Sequence, residues 1–195
     1  MRRVVVTGMS GICALGSDWP TIEAGLRHCR NAARRMSAWD KYSDLNTRLA
    51  APVVDFEPPA HWNRKQLRSM GRVSQFAVRA AELALTDAGL LGNPVVRSGR
   101  MGVACGSSIG STPDISDFAQ MLLTGDAPNL NANSYVRMMP HTTGANVGIF
   151  FGLRGRIIPT STACTSGSQG VGFAYEAIKH GYQDVMLGGG AEELC

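Results

Sequence analysis

At 195 residues the chain can bury one sizeable hydrophobic core, and its composition excludes several classes of protein. Hydrophobic residues make up 44% and charged residues 17%, which is ordinary for a soluble globular protein, and no apolar stretch approaches the length of a membrane span. The net charge of +4 suits a partner with an acidic surface, but the excess is too small to indicate nucleic acid. The sequence therefore predicts one globular domain over residues 1–195 that binds neither membrane nor nucleic acid.

The five cysteines indicate the cellular compartment. Their number is odd and no Cys-x-x-Cys pair occurs, so the sequence predicts neither a disulfide framework nor a zinc site, and a reducing cytosol fits best. The apolar run that follows Met1 breaks at Gly8 and Gly11, too early for the hydrophobic region of a signal peptide. We therefore expect a cytoplasmic protein without a bound metal.

Short β-branched runs alternate along the chain with longer helical patterns. Strands are predicted at 3–7, 101–106, 157–161 and 184–188. Helices are predicted from a cap at Asp18 through Leu26, and at 73–88, 117–123, 142–151 and 169–180, with residues 124–134 as a loop. Residues 31–59 lack periodicity and are interpreted as an excursion over the surface. Such alternation favours a layered α/β fold with a mostly parallel sheet between helices.

A glycine-rich turn at residues 7–16 follows the first predicted strand. A strand, a glycine loop and a helix can cradle a phosphate group, so a nucleotide-binding α/β domain is one alternative. The glycine spacing fits neither the dinucleotide pattern nor a phosphate-binding lysine loop, which disfavours that alternative. A thermal-shift assay with NAD(P) or ATP would test it.

The candidate catalytic residue is Cys164, within the segment Thr160-Ser-Thr-Ala-Cys-Thr-Ser-Gly-Ser168. An apolar run precedes the segment and a helical pattern follows, which places Cys164 where a strand gives way to a helix. A helix N-terminus favours negative charge, which lowers the pKa of a thiol and leaves N–H groups to hold an oxyanion. A small packed cysteine at a tight turn would give the same pattern. We expect Gly167, Gly170 and Gly172 to let the helix approach its neighbours closely.

These residues resemble a known family. The motifs Thr162-Ala-Cys-Thr-Ser-Gly167, Phe151-Gly-Leu-Arg-Gly155 and Gly188-Gly-Gly-Ala-Glu-Glu193 are similar, in order and spacing, to those of the elongating β-ketoacyl-ACP synthases of the thiolase superfamily. The resemblance runs from Val4 to Cys195. It implies the N-terminal half of a pseudo-symmetric, layered α/β/α thiolase-like fold, with the C-terminal half absent from this chain.

The resemblance also implies a reaction that needs no cofactor. Cys164 would take an acyl group from acyl carrier protein and then undergo decarboxylative Claisen condensation with malonyl-ACP, in fatty-acid, polyene or polyketide chain elongation. The family's two catalytic histidines belong to the other half of the molecule, and His141 matches neither of them. We therefore expect the fragment alone to be inactive, as a truncated product or part of a longer protein.

Further roles follow from the resemblance by position. Ile109, Met138, Met139, Thr162 and Ala163 match residues of the acyl pocket, with the two methionines reaching across a dimer interface. Arg64, Lys65 and Arg68 match the basic residues that dock acyl carrier protein, although a run of charges is more often a solvated helix start. The implied partners are acyl-ACP, malonyl-ACP and a second synthase subunit, in a homodimer or a heterodimer. A non-catalytic chain-length subunit of a heterodimer is a further alternative, which Cys164 disfavours because such subunits usually lack the active cysteine.

Overall fold

The computed structural model describes residues 1–194 and is organised around a parallel three-stranded sheet with helices on both faces. The helices are α1 (Trp19–Arg27), α2 (Arg64–Leu67), α3 (Arg72–Asp87), α4 (Thr112–Thr124), α5 (Ala132–Met138), α6 (Thr142–Phe151) and α7 (Ser166–Lys179). The strands are β1 (Arg34–Arg35), β2 (Leu49–Ala50), β3 (Met101–Gly106), β4 (Ile157–Thr160) and β5 (Val185–Gly190). The predicted layered α/β arrangement with a parallel sheet is confirmed.

Strand β3 is the centre of the sheet, between β4 and β5. All six of its residues are buried, as expected for a parallel strand covered on both faces. Its last residue, Gly106, pairs with Thr160 of β4 and with Gly190 of β5. The carboxyl ends of the three strands therefore meet at one edge of the sheet, and the segments that follow them are brought together there.

Helix α6 covers one face of the sheet and α3 packs on α6, and this side of the sheet holds the hydrophobic core. Met101, Val103 and Cys105 alternate along β3 and point into this core. They share this core with Val147 of α6 and Leu85 of α3, both almost fully buried. Burial of these aliphatic side chains is the main apolar contribution to the stability of the fold.

Helix α7 covers the other face, where the residues of β3 are small. A Cβ atom at Gly170 would lie 2.5 Å from the Gly189 carbonyl oxygen and 2.7 Å from the Ala104 carbonyl oxygen. The predicted close approach of the helix therefore holds at Gly170, because only glycine leaves room for it. The prediction is wrong for Gly172, which has open space around it, and Gly167 makes only ordinary contacts.

The predicted first strand, residues 3–7, is wrong. These residues form no strand, and Val5 and Val6 are 60% and 78% exposed. The β-branched composition suits a strand, but a strand needs a neighbouring strand, and none of those within residues 1–194 pairs with this run. The following turn instead packs on the end of α3, where a Cβ atom at Gly8 would lie 2.7 Å from the Ala84 carbonyl oxygen.

The predicted helices differ from the structure mainly at their starts. The helices at α1, α3 and α6 and the strands β3 to β5 form close to the predicted bounds. Helix α4 begins five residues earlier than predicted, with Pro113 in its first turn. Helix α5 takes in part of the predicted loop and begins with a capping box between Asn131 and Ser134. Residues 31–59 contain only the short antiparallel pair β1 and β2 and one 3-10 turn.

Candidate active site

Cys164 lies in the five-residue turn between the end of β4 and the start of α7, and its side chain is exposed. The residue before it, Ala163, has φ of 49°, in the left-handed region that residues with a Cβ atom rarely adopt. Such strain in a sharp strand-to-helix turn is typical of sites that present a nucleophile. The N–H groups of Thr165 and Ser166, the two residues after the thiol, donate back to the Thr162 and Ala163 carbonyl oxygens at 3.0 Å each, which tightens the turn.

Side-chain hydrogen bonds hold this turn in shape. The Thr162 N–H donates to Ser166 Oγ at 2.9 Å, and Ser166 Oγ donates to the Ala163 carbonyl oxygen at 2.7 Å. The hydroxyl of Thr160 donates to the Ser166 carbonyl oxygen at 2.9 Å, and that of Thr162 donates to Gln169 Oε1 at 2.9 Å. These bonds offset the strain at Ala163 and fix the position of Cys164.

A cavity of about 210 Å³ lies beside the thiol at the carboxyl edge of the sheet. It is lined by residues that end or follow strands β3 and β5, by the turn after β4 and by the start of α7: Gly106, Ser108, Ala163, Cys164, Ser166, Gly167, Gly190, Ala191 and Glu192. Most of these residues are small, so backbone groups form much of the wall. A larger concavity of about 420 Å³ is lined only by Lys41–Leu45, one continuous surface loop without paired catalytic groups.

The two glutamates after β5, Glu192 and Glu193, have structural roles that local sequence patterns do not predict. Glu192 lines the cavity and accepts hydrogen bonds from Ser107 Oγ at 3.1 Å and from the Ser108 N–H. Glu193 is buried, and its carboxylate accepts from the Val73 N–H at 3.0 Å and from the Thr112 N–H at 2.6 Å. Glu193 thereby holds the N-termini of α3 and α4 together. The position of Glu192 and Glu193 just after the carboxyl end of the parallel strand β5 is the sequence signal that could have indicated these roles.

Of the five predicted pocket residues, only Ala163 lines the cavity. Thr162 adjoins Cys164 in the turn, and Ala163 lines the cavity. Ile109 is 36% exposed on the turn after β3, next to the cavity residue Ser108. Met138 and Met139 end α5 and are partly buried, and neither they nor Ile109 or Thr162 lines the cavity.

The predicted docking residues Arg64, Lys65 and Arg68 are all exposed, on α2 and immediately after it. The short helix is capped by Asn63, and the buried ring of Trp62 packs on Phe150 at 5.0 Å between ring centroids. None of the three cations forms an ion pair within residues 1–194. Their positive charges face solvent from a segment anchored on the core.

The remaining described cysteines differ from Cys164 in their surroundings. Cys105 is buried in the core, and burial raises the pKa of its thiol to about 11, so it stays protonated at neutral pH. Cys29 is exposed at the end of α1, without a following helix. His141 precedes α6 and is exposed, but its side chain forms no capping hydrogen bond. Among residues 1–194 no three His, Cys, Asp or Glu side chains are grouped so that they could hold a metal ion.

Comparison with known proteins identifies the class to which this fold and site belong. The family model for the N-terminal domain of β-ketoacyl synthases matches residues 1–195, so the chain belongs to the β-ketoacyl synthase family. The predicted family is therefore confirmed.

The curated relatives that match this chain are about twice as long as it is. Nodulation protein E of Rhizobium meliloti strain 1021 is 34% identical over 200 residues, which cover 98% of this chain and 47% of that protein. The 3-oxoacyl-[acyl-carrier-protein] synthase 2 of Coxiella burnetii is 32% identical over 195 residues, covering 98% of this chain and 46% of that protein. The chain thus spans about half the length of the curated relatives it matches.

Solved structures confirm the thiolase-like α/β fold. A β-ketoacyl synthase from Burkholderia phymatum STM815 superposes with a TM-score of 0.96 at 58% identity, covering all of this chain and 48% of that one. The ishigamide ketosynthase/chain length factor superposes with a TM-score of 0.85 at 30% identity, again over all of this chain and 48% of that one. None of the helices within residues 1–194 combines the length and the apolar character needed to cross a membrane.

Proposed function

We propose that the protein carrying this chain is a β-ketoacyl-ACP synthase and that Cys164 is its nucleophile. The observation that carries the proposal is the placement of an exposed thiol in a strained turn at the start of α7, beside a cavity walled by small residues. Membership of the β-ketoacyl synthase family supports it. The same membership gives no support to a nucleotide-binding function for the glycine-rich turn at residues 7–16.

The proposed reaction has two stages. The Cys164 thiolate attacks the thioester carbonyl of acyl-ACP, forms an acyl-cysteine and expels the thiolate of the carrier. Malonyl-ACP then loses carbon dioxide, and the resulting carbanion attacks the acyl-cysteine carbonyl, forming a carbon–carbon bond and releasing Cys164 with β-ketoacyl-ACP. The oxyanion of the acyl intermediates is proposed to be stabilised by backbone N–H groups of the turn other than those of Thr165 and Ser166, which already donate to the Thr162 and Ala163 carbonyl oxygens. Decarboxylation needs further donors, which the family resemblance assigns to histidines of the other half of the molecule.

The first test is the mass of the intact protein after treatment with cerulenin, a mechanism-based inhibitor of condensing enzymes. The protein expressed from its full coding sequence should gain a single adduct, and Cys164→Ala should gain none. Cys29→Ala is the matched control, because Cys29 is also an exposed free thiol and its removal should leave the adduct in place. An adduct that persists in Cys164→Ala, or adducts spread over several cysteines, would contradict the proposal.

The exposed cations Arg64, Lys65 and Arg68 are proposed to dock acyl carrier protein. Exposed charges accelerate association with an oppositely charged partner and make it sensitive to salt. Reversing all three charges to Glu should raise the KM for acyl-ACP about tenfold or more at low salt, with little effect at high salt. An unchanged KM, or a loss equal at both salt concentrations, would contradict this role.

Ile109, Met138 and Met139 are proposed to shape the acyl pocket in an assembly of two synthase subunits. Their support is the position of Ile109 directly after the cavity residue Ser108, the contact of the Met138 backbone with Gly110 of the same turn, and the flexible apolar character of methionine. Both a homodimer and a heterodimer fit this role. The presence of Cys164 favours a catalytic subunit over a non-catalytic chain-length subunit, and acylation of Cys164 by acyl-ACP would distinguish the two.

A further inference from the structure

A half-buried ion pair joins α5 to the first turn of α4. Arg137 donates from Nε to both oxygens of Asp114, at 3.0 and 2.9 Å, and from Nη2 to Oδ1 at 2.6 Å. The side chain of Asp114 is 9% exposed and that of Arg137 is 24% exposed. Burial alone would raise the pKa of Asp114, but the hydrogen bonds and charge of Arg137 outweigh it and lower that pKa, so the pair is charged at neutral pH. This planar, multiply bonded pair is a rigid connection.

The same arginine reaches the proposed docking segment. Its remaining nitrogen, Nη1, donates to the Arg68 carbonyl oxygen at 3.2 Å. The Arg68 side chain is exposed, so this bond fixes the backbone from which a docking cation projects. A lysine at position 137 could not hold Asp114 and the Arg68 carbonyl group together, because it lacks the planar fork of nitrogen donors.

The backbone of Arg137 contacts the turn that carries Ile109. Its carbonyl oxygen accepts from the Ser111 N–H at 2.9 Å. The next carbonyl group, that of Met138, lies so close to Gly110 that no Cβ atom would fit there. One residue therefore touches both the docking segment and the wall of the proposed acyl pocket, and Asp114 fixes its side chain.

We infer that Arg137 and Asp114 are positioning residues that set the distance and orientation between the carrier-docking segment at Arg68 and the acyl-pocket wall at Ile109 and Met138. The inference rests on the proposed function. A carrier protein bound at Arg68 delivers its acyl chain on a tether, so a shift of the docking segment relative to the pocket would misplace the chain. The pair thereby links recognition of the carrier to acceptance of the acyl group.

The test is steady-state kinetics on the protein expressed from its full coding sequence. Arg137→Gln and Asp114→Asn should each raise the KM for acyl-ACP about tenfold and shift the preferred acyl length, with alkylation of Cys164 by iodoacetamide unchanged. Arg137→Lys, which keeps the charge and most of the packing, should fold and raise the KM about threefold. Arg100→Gln is the matched control, because Arg100 pairs with Asp184 at the opposite, amino-terminal edge of the sheet. Its KM should stay within about twofold of the wild type.

The outcomes separate this inference from the proposed function. If acyl transfer occurs but the Arg137 variants keep the wild-type KM and acyl preference, or if Arg100→Gln changes them as much, the coupling is refuted. If the wild type transfers no acyl group, the proposed function fails. The link between the docking segment and the pocket wall is then tested by comparing amide hydrogen exchange in Arg137→Lys and in the wild type. Faster exchange in both 68–71 and 109–112 would support it, and faster exchange in only one of these segments would refute it.

Discussion

The two faces of β3 differ in the size of their side chains, and the difference separates two tasks. Met101, Val103 and Cys105 point toward α3 and α6 and fill the core. Gly102, Ala104 and Gly106 alternate with them and are small, and the Ala104 carbonyl oxygen lies 2.7 Å from where a Cβ atom at Gly170 of α7 would be. The first face supplies buried apolar area, and the second brings the start of α7, and with it Cys164, to the carboxyl edge of the sheet. Stability and placement of the candidate nucleophile therefore depend on alternate residues of one strand.

The largest effect is expected on the core face. Met101 is fully buried, and Met101→Ala should lower the free energy of unfolding by about 2–5 kcal/mol, because it leaves a cavity that the packed helices only partly fill. Urea unfolding measures this change. Met9→Ala is the control, since Met9 is 48% exposed and its truncation should have little effect. Equal losses in the two variants would show that the core face is not the main source of stability.

A pH effect is expected on the same face. The thiol of Cys105 has a pKa of about 11 in the folded protein against 9.0 for a free thiol, because burial disfavours the thiolate. Below pH 9 both states hold the proton, and between pH 9 and 11 the unfolded state releases it first. The free energy of unfolding should therefore fall by about 2–3 kcal/mol over that interval. In Cys105→Ala this component should be missing, and an identical pH profile for the variant and the wild type would argue against it.

A smaller effect is expected on the α7 face, where substitutions of two glycines should change the stability in opposite directions. Gly170→Ala should lower the free energy of unfolding by about 1–3 kcal/mol, because the new methyl group meets the backbone of β3 and β5. Gly172→Ala, two residues further along the helix in open space, should raise it by about 0.5–1 kcal/mol through helix propensity. Opposite signs in urea unfolding would confirm the close approach at Gly170. A stabilising Gly170→Ala would contradict it.

The elements predicted correctly are those whose local pattern agrees with their burial. Helix α3 has clear helical periodicity, whereas strand β3 and helix α6 are apolar segments bounded by glycines, and all three contribute residues to the core, so the sequence predicted their bounds closely. Residues 3–7 have strand composition but lack a pairing strand within residues 1–194, and no local pattern reveals what a segment will pair with.

The candidate site was also predictable only in part, because some of its features follow from local sequence and others depend on distant contacts. The placement of Cys164 between a strand and a helix follows from local sequence, and the structure has it there. The left-handed backbone at Ala163 was not predictable, because alanine carries no signal for that conformation. The contacts of Glu193 with α3 and α4 span 120 and 81 positions of sequence, beyond the reach of periodicity.

These long contacts of Glu193 have a consequence for the order of events during synthesis. The N-termini of α3 and α4 share one carboxylate acceptor that is translated after both helices and after the whole sheet. Until residue 193 has been added, the Val73 and Thr112 N–H groups must be satisfied by water, and the two helix starts are not held together. Chains emerge from the ribosome N-terminus first, so joining of the α3 and α4 starts through Glu193 is expected to be a late step, completed only after β5 has been synthesised.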